Sequence, residues 1–192
     1  MNTPTHIIVS LAVFAEPGER KRNLIVLTGA IIPDVFIYVL SAWALATGQF
    51  NGELWSVIYW QEPWQTLGAL SNSVPLALLL LSIGLWRDWR LLNVFALALL
   101  THALMDLPLH ADDAHRHFWP ITDWRFMSPV SYWDRDYHGW LGSLLDLTCL
   151  IVGAGLLWRR FPALWVRLAL AVTILLCTLL FIAAFVWAAS HS

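Results

Sequence analysis

Between His102 and His138 the chain carries five of its seven histidines, His102, His110, His115, His117 and His138. Six aspartates accompany them: Asp106, Asp112, Asp113, Asp123, Asp134 and Asp136. Imidazole nitrogens and carboxylate oxygens are the usual ligands of zinc and related divalent ions, and a catalytic site of that kind keeps one position open for water. Residues four apart share a helix face, so His102 and Asp106 project together, with His110 one turn further on. Pro108 is placed to bend or end that helix and let His110 swing into the following loop. A polar cap of solvated charges would also account for the loop. It would not account for His102 and Asp106, which lie inside an otherwise apolar stretch where ionisable groups are costly and mark function.

Asp34 poses the same problem. It follows Pro33 about halfway along the apolar run Leu24–Thr47. An unpaired carboxylate there would cost several kcal/mol, so it must protonate, find a partner or bind a cation. Asp34 and His102 each lie about ten residues from the basic ends of their segments, which at ~1.5 Å per residue gives them similar depth. His6 could reach the same pocket if a short N-terminal helix descends from that side. Asp146, near the start of a later apolar run, suits either a role in orienting a ligand or a plain interhelical hydrogen bond. His191 lies at the chain end and is expected to take no part.

The elements that must hold these groups are membrane-spanning helices. Of 192 residues, 59% are hydrophobic and 12% charged, against about 25% charged in a soluble domain. The net charge of −2 gives no reason to expect nucleic acid as a partner. Cys149 and Cys177 sit in apolar stretches, which speaks against a disulfide framework or a thiolate site. A span needs roughly 20 mostly apolar residues. Leu24–Thr47, Thr66–Trp86, Leu91–Leu109 and Leu164–Ala189 approach or meet that, and Leu141–Trp158 is slightly short. Thr5–Ala15 is too short to cross unaided; Thr3 and Pro4 read as its N-cap and first turn. No basic stretch precedes this run, so no cleavable signal peptide is expected. The fold expected is all-α: a single membrane domain over 1–192, a polytopic helical bundle of about five transmembrane helices, a short N-terminal helix and a long His/Asp-rich outer loop, His110–Trp140.

Orientation follows from the basic residues. If loops alternate sides, one side receives Arg20, Lys21, Arg22, Arg87, Arg90, Arg159, Arg160 and Arg167, and the other Arg116, Arg125 and Arg135. The positive-inside rule puts the first set in the cytoplasm. Eleven of the 13 tryptophans then fall near the two interfaces, where indole rings prefer to sit. The His/Asp loop is expected to face the periplasmic side of a bacterial inner membrane.

Three of these elements together, Thr-Pro-Thr-His6, Gly-Ala-Ile-Ile-Pro-Asp34 and His102-x-x-x-Asp106 leading into a His/Asp-rich loop, carry a resemblance. The chain resembles the inner-membrane metal-dependent hydrolases that include the LexA-regulated hydrolases of bacteria, a family distantly similar to zinc-dependent phospholipase C. The resemblance covers most of the first 140 residues and implies that His6 is a ligand. The chain departs from it between Asp34 and His102, where the His-Arg-Gly-x-Thr-His motif of many members is missing.

The expected function is a membrane-embedded hydrolase, with a divalent ion, zinc before others, held by His102, Asp106 and His110 and some of His6, Asp34, His115 and His117. Such an ion would activate water for attack. Asp112 or Asp113 would take the proton, and Arg116 or Arg125 would hold an anionic phosphate. A pocket opening at the outer leaflet makes a lipid or lipid-linked phosphoester the natural substrate class. Two alternatives stay open: a zinc-dependent amide or ester lipid hydrolase, and a non-enzymatic metal or proton transporter. A transporter calls for ionisable residues continuing to the cytoplasmic side, where the spans are almost purely apolar.

Overall fold

The computed structural model describes residues 1–189, with side chains described through residue 184; His191 lies outside them. Among the described residues there are seven α-helices and no strand. They are α1 (Thr3–Phe14), α2 (Arg20–Thr47), α3 (Glu62–Ser71), α4 (Val74–Trp86), α5 (Arg90–Asp106), α6 (Gly139–Arg160) and α7 (Leu164–Ala189). Five stretches are long and apolar enough to cross a membrane: Arg20–Thr47, Glu62–Trp86, Arg90–Leu109, Gly139–Arg160 and Leu164–Ala184. The chain thus has the make-up of a multi-pass membrane protein. The second stretch is interrupted: α3 stops at Ser71 and α4 restarts at Val74, where the Ser73 side chain accepts from the Leu76 amide and Pro75 fills the first turn.

The short helix α1 stands inside the bundle. Its 12 residues span only ~18 Å at 1.5 Å per residue, too little to cross alone, and it packs between α2, α5 and α6. Ile8 and Ala12 join Leu150, Ala154 and Leu157 of α6 and Leu170 of α7 in one apolar cluster. On its other side Leu11 and Phe14 pack over Val26 of α2 and Val94 and Ala98 of α5. The helix starts one residue earlier than a Thr3 cap implies. Asn2 occupies the cap position without a capping bond, because its side chain is drawn to Asp146.

Basic residues gather where α1 ends. Arg160 of α6 donates to the Ala12 and Ala15 carbonyls, and Arg22 of α2 to the Phe14 carbonyl. The start of α1 lies at the opposite end, among Asp34, Asp106 and Asp146. The bundle therefore has a basic end and an acidic, histidine-bearing end, with α1 running between them.

Close helix contact relies on small residues, as is usual where lipid removes the hydrophobic driving force between spans. A Cβ at Gly29 of α2 would stand 2.8 Å from both the Ala98 Cβ and the Phe95 carbonyl oxygen of α5. Gly153 of α6 lies against Ile8 of α1, and Gly142 against the Ser131 carbonyl, whereas Gly155 has nothing within 4 Å. Gly29→Ala is expected to cost about 1–3 kcal/mol, the usual penalty of overpacking. Gly155→Ala should be neutral or slightly stabilising, since alanine is the better helix former. Thermal unfolding of the two variants in detergent micelles distinguishes these outcomes.

Candidate metal centre

Four segments converge at the acidic end. Helix α5 presents His102 and Asp106 on one face and ends at Asp106, after which Leu107–Leu109 forms a single 3-10 turn and His110 is extended. The proline-bearing turn thus brings His110 back over Asp106: its Nε2 lies 3.5 Å from Asp106 Oδ1. Helix α1 inserts His6 beside His102, the two rings stacked at 3.5 Å between centroids and 9° between planes. Helix α2 supplies Asp34.

His102 defines the centre. Its Nδ1 lies 2.8 Å from the Ala30 carbonyl oxygen, which can only accept, so Nδ1 carries the proton. Its Nε2 is then left with a bare lone pair or a second proton. That atom is buried, makes no hydrogen bond, and faces Asp106 Oδ2 at 3.1 Å and Asp34 Oδ1 at 3.4 Å. His6 Nε2 approaches Asp106 Oδ1 at 2.9 Å. Acceptors crowded in this way need a cation or extra protons between them. Ligand atoms around a tetrahedral zinc ion sit about 3.3–3.6 Å apart, given bonds of ~2.0–2.2 Å; the 3.1 and 3.4 Å separations from His102 Nε2 approach that range, and the 2.9 Å between His6 and Asp106 is a hydrogen-bond distance.

Two overlapping groups of possible ligands result: His6, His102 and Asp106, and Asp106, His110 and His115. Asp106 is common to both. It is 1% exposed, and the Met1 amino group also lies against its Oδ1.

The loop after α5 is folded around the second group. Asp113 Oδ2 takes His110 Nδ1 at 2.9 Å and Trp133 Nε1 at 2.9 Å. A carboxylate behind an imidazole fixes its tautomer and turns the other nitrogen towards a metal. Burial would raise the Asp113 pKa, but the His110 and Trp133 hydrogen bonds outweigh it and hold the carboxyl at about 2. Burial likewise works to lower the His110 pKa, yet Asp106 and Asp113 hold it above the usual value. At His115 burial prevails, helped by the His110 charge, and the pKa falls to about 3.

The break between α3 and α4 anchors this loop. His117 Nδ1 donates to the Asn72 carbonyl at 3.2 Å, the Val74 amide to the His117 carbonyl, and the Ser73 hydroxyl to the Trp119 carbonyl. Asn72 and Ser71 in turn bond the Pro33 carbonyl of α2, one residue before Asp34.

The structure thus gathers His6, Asp34, His102, Asp106, His110 and His115. His117 stands beside His115, rings 5.7 Å apart, with its Nε2 buried and unpartnered, but it belongs to neither ligand group. Asp113 sits behind His110, while Asp112 is exposed. Arg116 is turned to Glu62 and Asp123, each at 3.1 Å, and Arg125 to the Ala114 carbonyl and Gln65. Asp146 holds the backbone and side chain of Asn2 rather than a histidine.

Three contributors have no signal in the sequence. Thr3 donates its hydroxyl to Asp34 at 2.6 Å, Tyr132 lays its ring 5.2 Å from that of His110, and Trp133 braces Asp113. Each is about twenty or more residues from its partner, beyond the reach of any local spacing rule.

No family model matches the chain, and no curated protein or solved structure matches it either. The functional reading therefore rests on this geometry.

Elemental analysis of the purified chain after zinc loading should find bound metal, reduced in His102→Ala and lost in Asp106→Ala, the residue common to both groups. Arg116→Ala, which touches neither ligand group, should retain it. Asp113→Ala should weaken affinity about 10–100-fold, as removal of a carboxylate behind a ligand histidine does.

Proposed function

We propose that the chain is a membrane-embedded metal-dependent hydrolase acting on a lipid or lipid-linked substrate. The observation that carries this is the buried Nε2 of His102, which makes no hydrogen bond and lies 3.1 and 3.4 Å from two carboxylates, with a second histidine group sharing Asp106. His6, His102 and Asp106 would hold one divalent ion, zinc by the nitrogen and oxygen donor set. Asp106, His110 and His115 would hold a second. When bound, such ions supply Lewis acidity at the bond to be cleaved.

The chain's own groups divide the remaining work. Asp113 already accepts from His110 Nδ1 and Trp133 Nε1 through one oxygen, and we assign it to orienting His110. Asp34 is the carboxylate placed to accept a proton, with Oδ2 steadied by the Thr3 hydroxyl and Oδ1 facing His102. Burial of the centre at one end of the spans favours a substrate that already resides in the bilayer. The gathering of basic residues at the opposite end supports, by the positive-inside rule, a periplasmic-facing centre in a bacterial inner membrane.

A specific observation favours the amide or ester alternative. The two loop arginines suited to a phosphate are both committed, Arg116 to carboxylates and Arg125 to a carbonyl and an amide. Transport has less support: Val26, Val94 and Ala98 form an apolar cluster towards the basic end, and among the described residues no buried ionisable side chain joins the centre to that end.

Purified protein in mixed micelles should cleave a member of a panel of phospholipids and ceramides, lose activity to a chelator and recover it with zinc. Release from ceramide alone would select the amide reading. Asp34→Asn should keep its metal and lower kcat about 10²–10⁴-fold, the range for a lost general base. Chelator-insensitive cleavage, or none across the panel, would overturn the proposal.

A further inference from the structure

A cleft of about 200 Å³ opens between α6 and α7 at the acidic end, lined by Asn2, Tyr132, Ser143, Asp146, Leu147 and Leu180, among others. Two of its walls belong to the metal centre as well. Tyr132 is the residue whose ring rests on His110, and Trp133, also lining the cleft, bonds Asp113. Asn2 adjoins Met1, whose amino group lies on Asp106. The cleft is thus separated from the candidate ligands by a single layer of side chains.

Its chemistry is graded. Against the centre stand the polar residues Asn2, Ser143 and Asp146, and these satisfy one another's neighbourhood: both Asp146 oxygens accept from Asn2, and the Ser143 hydroxyl donates to the Tyr132 carbonyl. The opposite wall, from Leu147 of α6 and Leu180, Phe181 and Ala184 of α7, is apolar. Ser143 to Leu147 lie four to eight residues into α6, about 6–12 Å along its axis at 1.5 Å per residue, the depth of the first methylenes of a bilayer leaflet. Arg135 reaches the Ala184 carbonyl at 3.4 Å, on the apolar wall of the cleft. The volume is below the ~300–1,000 Å³ of pockets that enclose a whole small molecule and fits a length of hydrocarbon chain. The larger groove of about 750 Å³, lined by Ile7, Leu24, Phe161 and Trp165, runs towards the basic end and touches no candidate ligand.

We propose that the α6–α7 cleft is the hydrocarbon-chain subsite of the centre, admitting one acyl chain of a lipid sideways from the adjoining leaflet so that the chain lies against Leu147, Ser143 and Tyr132. This rests on the hydrolase reading for its catalytic meaning, but lipid occupancy can be read without catalysis. The zinc-loaded full chain is reconstituted in vesicles of phosphatidylethanolamine and phosphatidylglycerol, a fraction of the latter carrying a mid-chain diazirine. After irradiation the labelled residues are mapped by peptide mass spectrometry. Label is expected on Tyr132, Ser143 and Leu147, in addition to the lipid-exposed Leu176 and Leu179 of α7. Filling the slot by Ala184→Trp or Leu147→Trp should lower the label on Tyr132 and Ser143 at least about fivefold, because a packed site does not accept added volume. Label at Leu176 and Leu179 should persist, which also reports a folded bundle. Absence of label from Tyr132 and Ser143 in the wild type, or its persistence in both variants, overturns the proposal. Metal content of the same samples separates the two readings: label without metal leaves the lipid cleft and removes the hydrolase, and metal without label does the reverse.

Discussion

A carboxylate buried at the end of a membrane helix sets the terms for the rest of this bundle. Asp106 is almost wholly enclosed, and an isolated charge in such a place would cost several kcal/mol even after relaxation. The structure surrounds it with groups able to carry or accept positive charge: the Met1 amino group, His6, His102 and His110. Each comes from a different element or from a turn that reverses direction. The fold at this end is best understood as the set of chain paths that bring those groups to one carboxylate.

The position of α1 follows from that requirement. A 12-residue helix gains nothing by spanning a bilayer it cannot cross, yet here it occupies the middle of the bundle. Its start is pinned by Asp34 and Asp146 and its end by Arg160 and Arg22. Between those anchors Ile8 fits the space left by Gly153, and Leu11 lies over Val26. Polar tethers at both ends and close apolar packing in the middle hold His6 in register with His102. In the same way, the interruption at Asn72 and Ser73 gives up helical continuity in a span and gains backbone groups that hold the His117 segment.

Much of this was legible from residue order. The apolar runs predicted five spans and a short leading helix, and the helices found match them apart from shifts of a few residues and the break within 62–86. The four-residue spacing of His102 and Asp106 placed both on one face, and Pro108 marked where α5 stops. The loop was different. Sequence composition treated Asp112 and Asp113 alike and offered Arg116 or Arg125 to a substrate phosphate. In the fold Asp113 is enclosed behind His110, Asp112 is exposed, and both arginines bind the loop to α3 or to itself.

Composition and hydropathy by themselves determined that the chain builds apolar helices long enough for a membrane, and that Asp34, His102 and Asp106 must find compensation within them. Those conclusions depend on the cost of polar groups in hydrocarbon and on helical periodicity, both of which act over a few residues. Tertiary structure alone decided which groups supply the compensation. The stacking of His6 on His102, the bond from Thr3 to Asp34, the bracing of Asp113 by Trp133 and the contact of Tyr132 with His110 join segments far apart in the chain. Such contacts are set by how helices pack and where a loop can close, and no local spacing encodes them.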